Sequence, residues 1–189
     1  VKRTIDGSDV RYIEFFEDRD FGDDVDDAYF VDCGLTYDST ATTTVTGLSH
    51  LEGETVGVLG DGALQTSQTV SSGEITITSA STVQAGLPFT AQVETMPLSF
   101  PMEGSTIMGR NKRINQVYVF YYNSGDFYIG PNATDKELLS ISSMDSSDVD
   151  TDDRITFPAG SDRYGHVLVY QQSAEPLTLL SLITEFEVY

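Results

Sequence analysis

Tryptophan is missing from this chain, cysteine occurs once, histidine twice, and only 10 of the 189 residues are Lys or Arg. Each shortage closes something off. One cysteine, Cys33, permits no intrachain disulfide, which argues against a small disulfide-stapled secreted module. His50 and His166, with that single cysteine, are too few nitrogen and sulfur donors for a zinc centre unless carboxylates complete it. No apolar run approaches the ~20 residues of a membrane-spanning helix. The longest, Leu177 to Ile183, is interrupted by Thr178 and Ser181 and has the length of a strand. There is no GxxxxGK[ST] phosphate loop and no GxSxG nucleophile elbow.

Acids are plentiful: 30 Asp and Glu against the 10 bases give a net charge of −20. Such a field repels nucleic-acid phosphates, within the roughly 8–10 Å that physiological salt leaves unscreened. A protein that reads DNA sequence carries a basic stripe, whereas the one dense basic run here is Arg110-Asn111-Lys112-Arg113. Solubility alone accounts for an acidic balance. So does a conduit through which DNA slides without adhering. Leu, Ile, Val and Phe make up 50 of the 189 residues. That share lies above the level of disordered chains, so a packed core is expected. The first residue is Val1, and Val1 to Ile5 already reads as a strand, so a piece of a longer protein is expected.

Strand follows strand with no sustained helical period. Val10 to Phe16 follows an Asp6-Gly7-Ser8 turn, Ala28 to Gly34 follows an acidic loop, and Ala41 to Thr46 is threonine-rich. From Gly47 to Thr90 the pattern tightens. Thr55 to Leu59 leads into Gly60-Asp61-Gly62, a hairpin signal because Asp-Gly tolerates positive φ. A second turn follows at Ser71-Ser72-Gly73, then the alternating Glu74 to Thr78. Ile114 to Tyr122 is apolar on both faces and reads as a central strand. In the last strand Phe186 and Val188 alternate with Glu185 and Glu187, one buried face and one wet. Thr134 with Glu137 makes a capping box, so a short helix is expected over Thr134 to Ser140. The fold class expected is all-β: an antiparallel β-sandwich from 1–46 plus 88–189, with a small β-barrel-like module, 47–87, inserted in it.

Leu51-Glu52-Gly53-Glu54-Thr55-Val56, Leu59-Gly60-Asp61-Gly62 and Gly86-Leu87-Pro88-Phe89 come in that order. Ala28 to Asp38 precedes them. Gly109 to Ile114 and Pro176 to Ile183 follow. Together these phrases resemble the C-terminal region of tail nozzle proteins of short-tailed phages, also called tail tubular protein B-like or packaged-DNA stabilisation proteins. The resemblance covers most of the chain. It implies a structural virion protein of the tail, not an enzyme, with no cofactor. It implies a six-fold homo-oligomeric ring below the portal and adaptor that retains packaged DNA and passes it on ejection. The implied partners are other copies of the chain, tail adaptor and tail fibre proteins, and duplex DNA in non-specific passage, with no membrane insertion. The family's propeller-like part would lie before Val1.

Two acidic runs are the candidate lumen or interface loops: Asp18, Asp20, Asp23, Asp24, Asp26 and Asp27, with Glu14 and Glu17 beside them, and Asp148, Asp150, Asp152 and Asp153. Calcium takes six to eight oxygens. Neither run meets EF-hand spacing, and solvated loops explain both. Arg110, Lys112 and Arg113 are the candidate basic interface, set against the ordinary charge that protects a strand edge. Cys33 reads as a small buried hydrophobe. His166 reads as a packed or edge residue of a strand over 166–171, and His50 as a turn residue. A tyrosine platform at Tyr118, Tyr121 and Tyr122 competes with a core strand.

Two other classes stay open. One is a carbohydrate- or receptor-binding β-sandwich on a virion or cell surface. The other is a glycosidase with two carboxylates about 5–9 Å apart, which the abundance of acids alone does not refute.

Overall fold

Hairpin turns set the local architecture. In a computed structural model, which describes residues 1–18, 20–22, 24–102, 105–141, 154–158 and 160–189, three two-residue turns place both central residues at positive φ. They are Asp6-Gly7 (45° and 71°), Asp61-Gly62 (46° and 69°) and Ser72-Gly73 (58° and 72°). This is the turn whose twist suits an antiparallel hairpin, and the Asp-Gly signals predict it at two of the three sites. Strands β1 (Lys2–Ile5) and β2 (Ser8–Arg11) flank the first turn. Strands β4 (Thr55–Gly60) and β5 (Ala63–Thr69) flank the second, with Gly60 opposite Ala63. The third leads into β6 (Glu74–Leu87).

The chain is all-β, and its residues fall into two compact units. The first comprises Val1–Phe89 and Ser173–Pro176, the second Thr90–Gln172 and Leu177–Tyr189. Besides the β1–β2 hairpin, the first unit holds β3 (Asp32–Thr46) and a four-stranded antiparallel sheet in the order β3-β6-β4-β5. Burial along β6 records its neighbours. Over 74–78, Ile75 and Ile77 are buried and alternate with exposed Glu74, Thr76 and Thr78. Over 83–86, with β3 on one side and β4 on the other, every residue is buried. Val45, Leu48, Leu51, Val56, Val58, Val83 and Ala85 form the core, each fully buried. Each larger aliphatic side chain there contributes about 1.5–3 kcal/mol.

This division differs from the one expected. The sequence boundary at 47 separates β3 from β6, yet β3 pairs with β6 from Asp32↔Leu87 to Thr46↔Glu74. The N-terminal strands therefore belong with the 47–87 module. That module is also not closed as a barrel, because β5 and β3 lie at opposite ends of the sheet.

The second unit contains β7 (Ala91–Glu94), β8 (Pro101–Met102), β9 (Ser105–Thr106), β10 (Lys112–Tyr122), β11 (Phe127–Gly130), β12 (Glu137–Leu139), β13 (Arg154–Thr156), β14 (Leu168–Gln171) and β15 (Thr178–Val188). Its larger sheets run β13-β10-β15 and β12-β11-β14-β7, with a small β8–β9 hairpin apart. Side chains from both larger sheets share one core: Val117 and Val119 of β10, Ile155 of β13, Phe127 and Ile129 of β11, Val169 of β14. Two antiparallel sheets on one core make a sandwich arrangement. β10 is central, as its apolar pattern predicts.

The helix expected over Thr134 to Ser140 does not form; Glu137–Leu139 is strand β12 instead. Asn132 Oδ1 accepts from the N–H groups of Thr134 and Asp135 and turns the chain, and Leu139 then enters the core. Tertiary pairing with β11 overrides the capping signal. The only helices among the described residues are single 3-10 turns, Val25–Asp27 and Ser49–Leu51.

Candidate functional site

An aromatic groove of about 550 Å³ opens in the first unit. Tyr12, Ile13, Phe15 and Phe16 line it from the segment after β2, Tyr29, Phe30 and Val31 from the segment before β3. Ile13, Phe15 and Phe16 are almost entirely exposed, a concentration of apolar surface that single exposed residues do not explain.

Polar bonds hold the walls. Arg3 on β1 donates to both carboxylate oxygens of Glu14, with Nη2 to Oε2 at 2.7 Å, a bidentate pair. The same guanidinium lies 3.5 Å from Asp32. The Tyr12 hydroxyl donates to the His50 carbonyl at 2.7 Å. The His50 ring donates through Nε2 to the Cys33 carbonyl at 2.8 Å, and it meets the Tyr12 ring at 89° with centroids 6.0 Å apart. Phe21 packs edge-on against Phe30, also at 6.0 Å.

The floor is a close backbone approach. Cys33 has φ +53°, rare for a residue with a Cβ. Gly34 follows it, and a Cβ at Gly34 would lie 2.8 Å from the Tyr29 hydroxyl oxygen and overlap the Ala85 carbonyl.

Titratable groups at the groove are shifted by their neighbours and by burial. Arg3, hydrogen-bonded to Glu14, holds that carboxyl below its usual range, while Glu14 raises the guanidinium's own pKa. Burial pushes the Cys33 thiol up, and the Glu14 charge pushes it further. The thiol is therefore protonated at neutral pH, the opposite of an activated nucleophile. Cys33, expected as a small buried hydrophobe, is half-buried: it packs against the core of the first unit and lines the groove. Stacking aromatics with carboxylates at the rim suit a ligand presenting flat apolar faces and hydrogen-bond donors.

The acidic loop has a structural explanation. Asp18 Oδ1 accepts from the Asp20 N–H, Asp20 Oδ1 from the Gly22 N–H, and Asp24 Oδ1 from the Asp26 N–H. Each carboxylate binds backbone two residues on, a run of Asx turns. Asp18, Asp20, Asp24 and Asp27 are exposed. Asp26 is half-buried; desolvation raises its pKa first, followed by Asp24, Asp61 and Asp27. Among the described residues no group of three or more His, Cys, Asp or Glu is placed to hold a metal. Asp23, Asp148, Asp150, Asp152 and Asp153 lie outside the described residues.

The basic trio separates. Arg110 and Arg113 are exposed, and Arg113 stands opposite Glu187 across β10 and β15. Lys112 is only 2% exposed, so it is no surface charge. Its stem packs against Gly165, and its ammonium donates to the Arg163 carbonyl at 2.6 Å. The alternation along β10 turns Lys112 inward with Ile114. Tyr121 is buried and meets Phe127 edge-on, which supports the core reading over a tyrosine platform. His166 sits just before β14, bonds the Pro131 carbonyl at 3.0 Å and lies 3.7 Å from Glu94.

Sequence reasoning missed the groove. Its signal was present in Tyr12-Ile13-Glu14-Phe15-Phe16, which fails the strict alternation of a half-buried strand, and β2 ends at Arg11.

The fold therefore defines an all-β, two-unit chain with an aromatic groove in its first unit. No protein-family model matches the chain, and a search of curated proteins gives no match. No helix among the described residues is long and apolar enough to cross a membrane.

Proposed function

We propose that this chain is a structural subunit of a short-tailed phage tail, part of a nozzle ring that closes the tail tube, retains packaged DNA and passes it during ejection. The observation that carries the reading is where the resembling phrases fall. Ala28 to Asp38, Leu51 to Val56, Leu59 to Gly62 and Gly86 to Phe89 are scattered over some sixty residues. All four fall in the first unit and contribute to strands β3, β4 and β6 of its sheet, while Gly109 to Ile114 and Pro176 to Ile183 reach β10 and β15 of the second. Exposed Asp18, Asp20, Asp24 and Asp27, with a net charge of −20, suit a surface that DNA passes without adhering. The partners proposed are further copies of the chain, tail adaptor and tail fibre proteins.

Light scattering and negative-stain imaging test the reading. A closed ring with an opening of about 20 Å or more, and no duplex binding at physiological salt, is the result expected. A species that stays monomeric in the presence of tail adaptor protein overturns it.

The aromatic groove favours a second reading, a carbohydrate- or receptor-binding module. Its aromatics and rim carboxylates offer stacking and hydrogen bonding to a sugar face. A glycan array carries that test: binding lost in Phe16→Ser supports it, and an empty array argues against it.

A further inference from the structure

The sheet β3-β6-β4-β5 has two open edges. Among the described residues β3 has only β6 as a neighbour, and β5 only β4. An open edge templates pairing with another chain, and proteins ordinarily blunt it with charge or proline. Here residues 39–46 of β3 are only Ser, Thr, Ala and Val, and β5 is only Ala, Leu, Gln, Thr and Ser. Neither stretch holds a charge or a proline, although 21% of the chain is charged.

The outward backbone groups can be located. The Thr44 N–H donates to Thr42 Oγ1 at 3.1 Å, and the Thr44 carbonyl accepts from the same hydroxyl at 3.0 Å. The Thr66 carbonyl accepts from Gln68 Nε2 at 3.1 Å. Groups bonded in this way face away from the neighbouring strand. All three bonds are exposed and span two residues, so an incoming backbone readily replaces them. Both edges are irregular: β5 between Gln65 and Gln68, where Thr66 and Ser67 together oppose Gly57, and β3 between Asp38 and Thr44, where the shifts compensate, since Asp38 pairs with Thr82 and Thr44 with Thr76, six residues on each strand. The ladder resumes its register at the open end.

We propose that β5 of one copy adds antiparallel to β3 of the next, extending the sheet head to tail. Strand direction supplies the geometry. Every neighbour in this four-stranded sheet is antiparallel, so β3 and β5 run in opposite directions. A second copy in the same orientation therefore brings its β3 to β5 with antiparallel polarity. The uncharged stretches match in length, eight residues against seven. A two-fold dimer would cover one edge and leave the other bare, whereas head-to-tail addition covers both. Such a contact is heterologous, and it closes into a ring when the rotation per copy permits. The inference deepens the proposed ring and rests on it. With a net charge of −20, copies repel, and the uncharged edges are where that resistance is least.

Sedimentation of the whole chain across concentration and salt tests it. Wild type is expected to associate, more strongly as salt screens the repulsion. Thr44→Pro removes the outward N–H of β3. Leu64→Pro does the same for β5: Ala63 pairs with Gly60 across the two-residue turn, so the N–H of the next residue, in the regular part of the ladder, points outward. Proline is tolerated where an edge N–H faces solvent. Each variant alone should associate at least tenfold more weakly. Mixed, they should form a 1:1 pair that grows no further, since each retains the edge the other lacks. Should a proline lower thermal stability, Thr46→Lys and Ser67→Lys place a charge on each edge and repeat the experiment.

A wild-type chain that stays monomeric overturns the proposal. So does a mixture that grows beyond the pair, or a two-fold dimer. Rings that neither proline disturbs overturn the edge contact and leave the ring standing. Open chains that both prolines abolish uphold the edge contact and overturn the ring.

Discussion

Replacing Gly86 with alanine should strain the first unit where β6 crosses β3. Gly86 lies on β6 beneath the groove floor, and its φ is not in the left-handed region, so the cost is steric alone. The added Cβ would lie 2.7 Å from Gly34 Cα, 2.8 Å from the Asp32 carbonyl oxygen and 2.8 Å from Val31 Cγ2. Carbon atoms pack at about 3.5–4.0 Å. β3 must therefore retreat by roughly 0.8 Å or more, and two of the three obstacles are backbone that no rotamer change removes. Overpacking costs about 1–3 kcal/mol, and the absence of a flexible neighbour puts this case near 3 kcal/mol. Gly57→Ala is the control. Its Cβ meets the Ala174 Cβ at 3.2 Å and no other atom closer than 3.9 Å, so it should cost under about 1 kcal/mol. Urea unfolding by far-UV circular dichroism measures the difference. Amide exchange on peptides spanning 32–46 and 74–87 assigns it to the β3–β6 ladder. A Gly86→Ala protein within about 0.5 kcal/mol of wild type, or no worse than Gly57→Ala, would refute the close crossing.

Four further outcomes are expected. Phe16→Ser should leave stability within about 0.5 kcal/mol, because the ring is solvent-exposed, yet reduce binding of an apolar fluorescent dye to the groove. Asp26→Asn should raise the melting temperature at pH 7, worth on the order of 0.5 kcal/mol after screening. The sign follows from the raised pKa of Asp26: wild type loses stability as pH rises through that value, so the gain should vanish in acid, below about pH 4. Glu14 and Asp61 have lowered pKa values, from Arg3 and from the Thr82 and Ser81 N–H groups respectively. Their contribution is present above about pH 4 and lost as pH falls through the lowered values. Lys136→Ala should destabilise the second unit by about 0.5–1 kcal/mol, since its ammonium lies 4.6 Å from the Tyr170 ring centre and 5.1 Å from that of Tyr128. A melting temperature equal to wild type would exclude that contact.

Local chemistry made much of this protein legible in its sequence. Asp6-Gly7 and Asp61-Gly62 dictate their hairpins because two successive positive φ angles are cheap there. The alternation at Glu74 to Thr78, the apolar run of β10 and the split faces of β15 each reappear in burial, since side-chain direction has a period of two. The run of aspartates between Asp18 and Asp27 is turn chemistry of the same local kind. What tertiary structure decided is everything that depends on distant neighbours. β3 joins β6 between residues 28 to 55 positions apart in the chain, and that pairing moves the unit boundary from 47 to the far side of Phe89. Lys112 is buried because the β10 register turns it inward toward Gly165 and Arg163, which no local pattern of charges encodes. The capping box at Thr134 gave way to β12 because a ladder to β11 and a core place for Leu139 outweigh one helical turn. The aromatic groove exists only where two segments, after β2 and before β3, are drawn together by Arg3, Glu14 and the Tyr12–His50–Cys33 chain of hydrogen bonds. Short-range turns and periodicities are energies of neighbouring residues. Strand partners, buried charge and concave surface are energies of contacts that exist only once the chain has closed on itself.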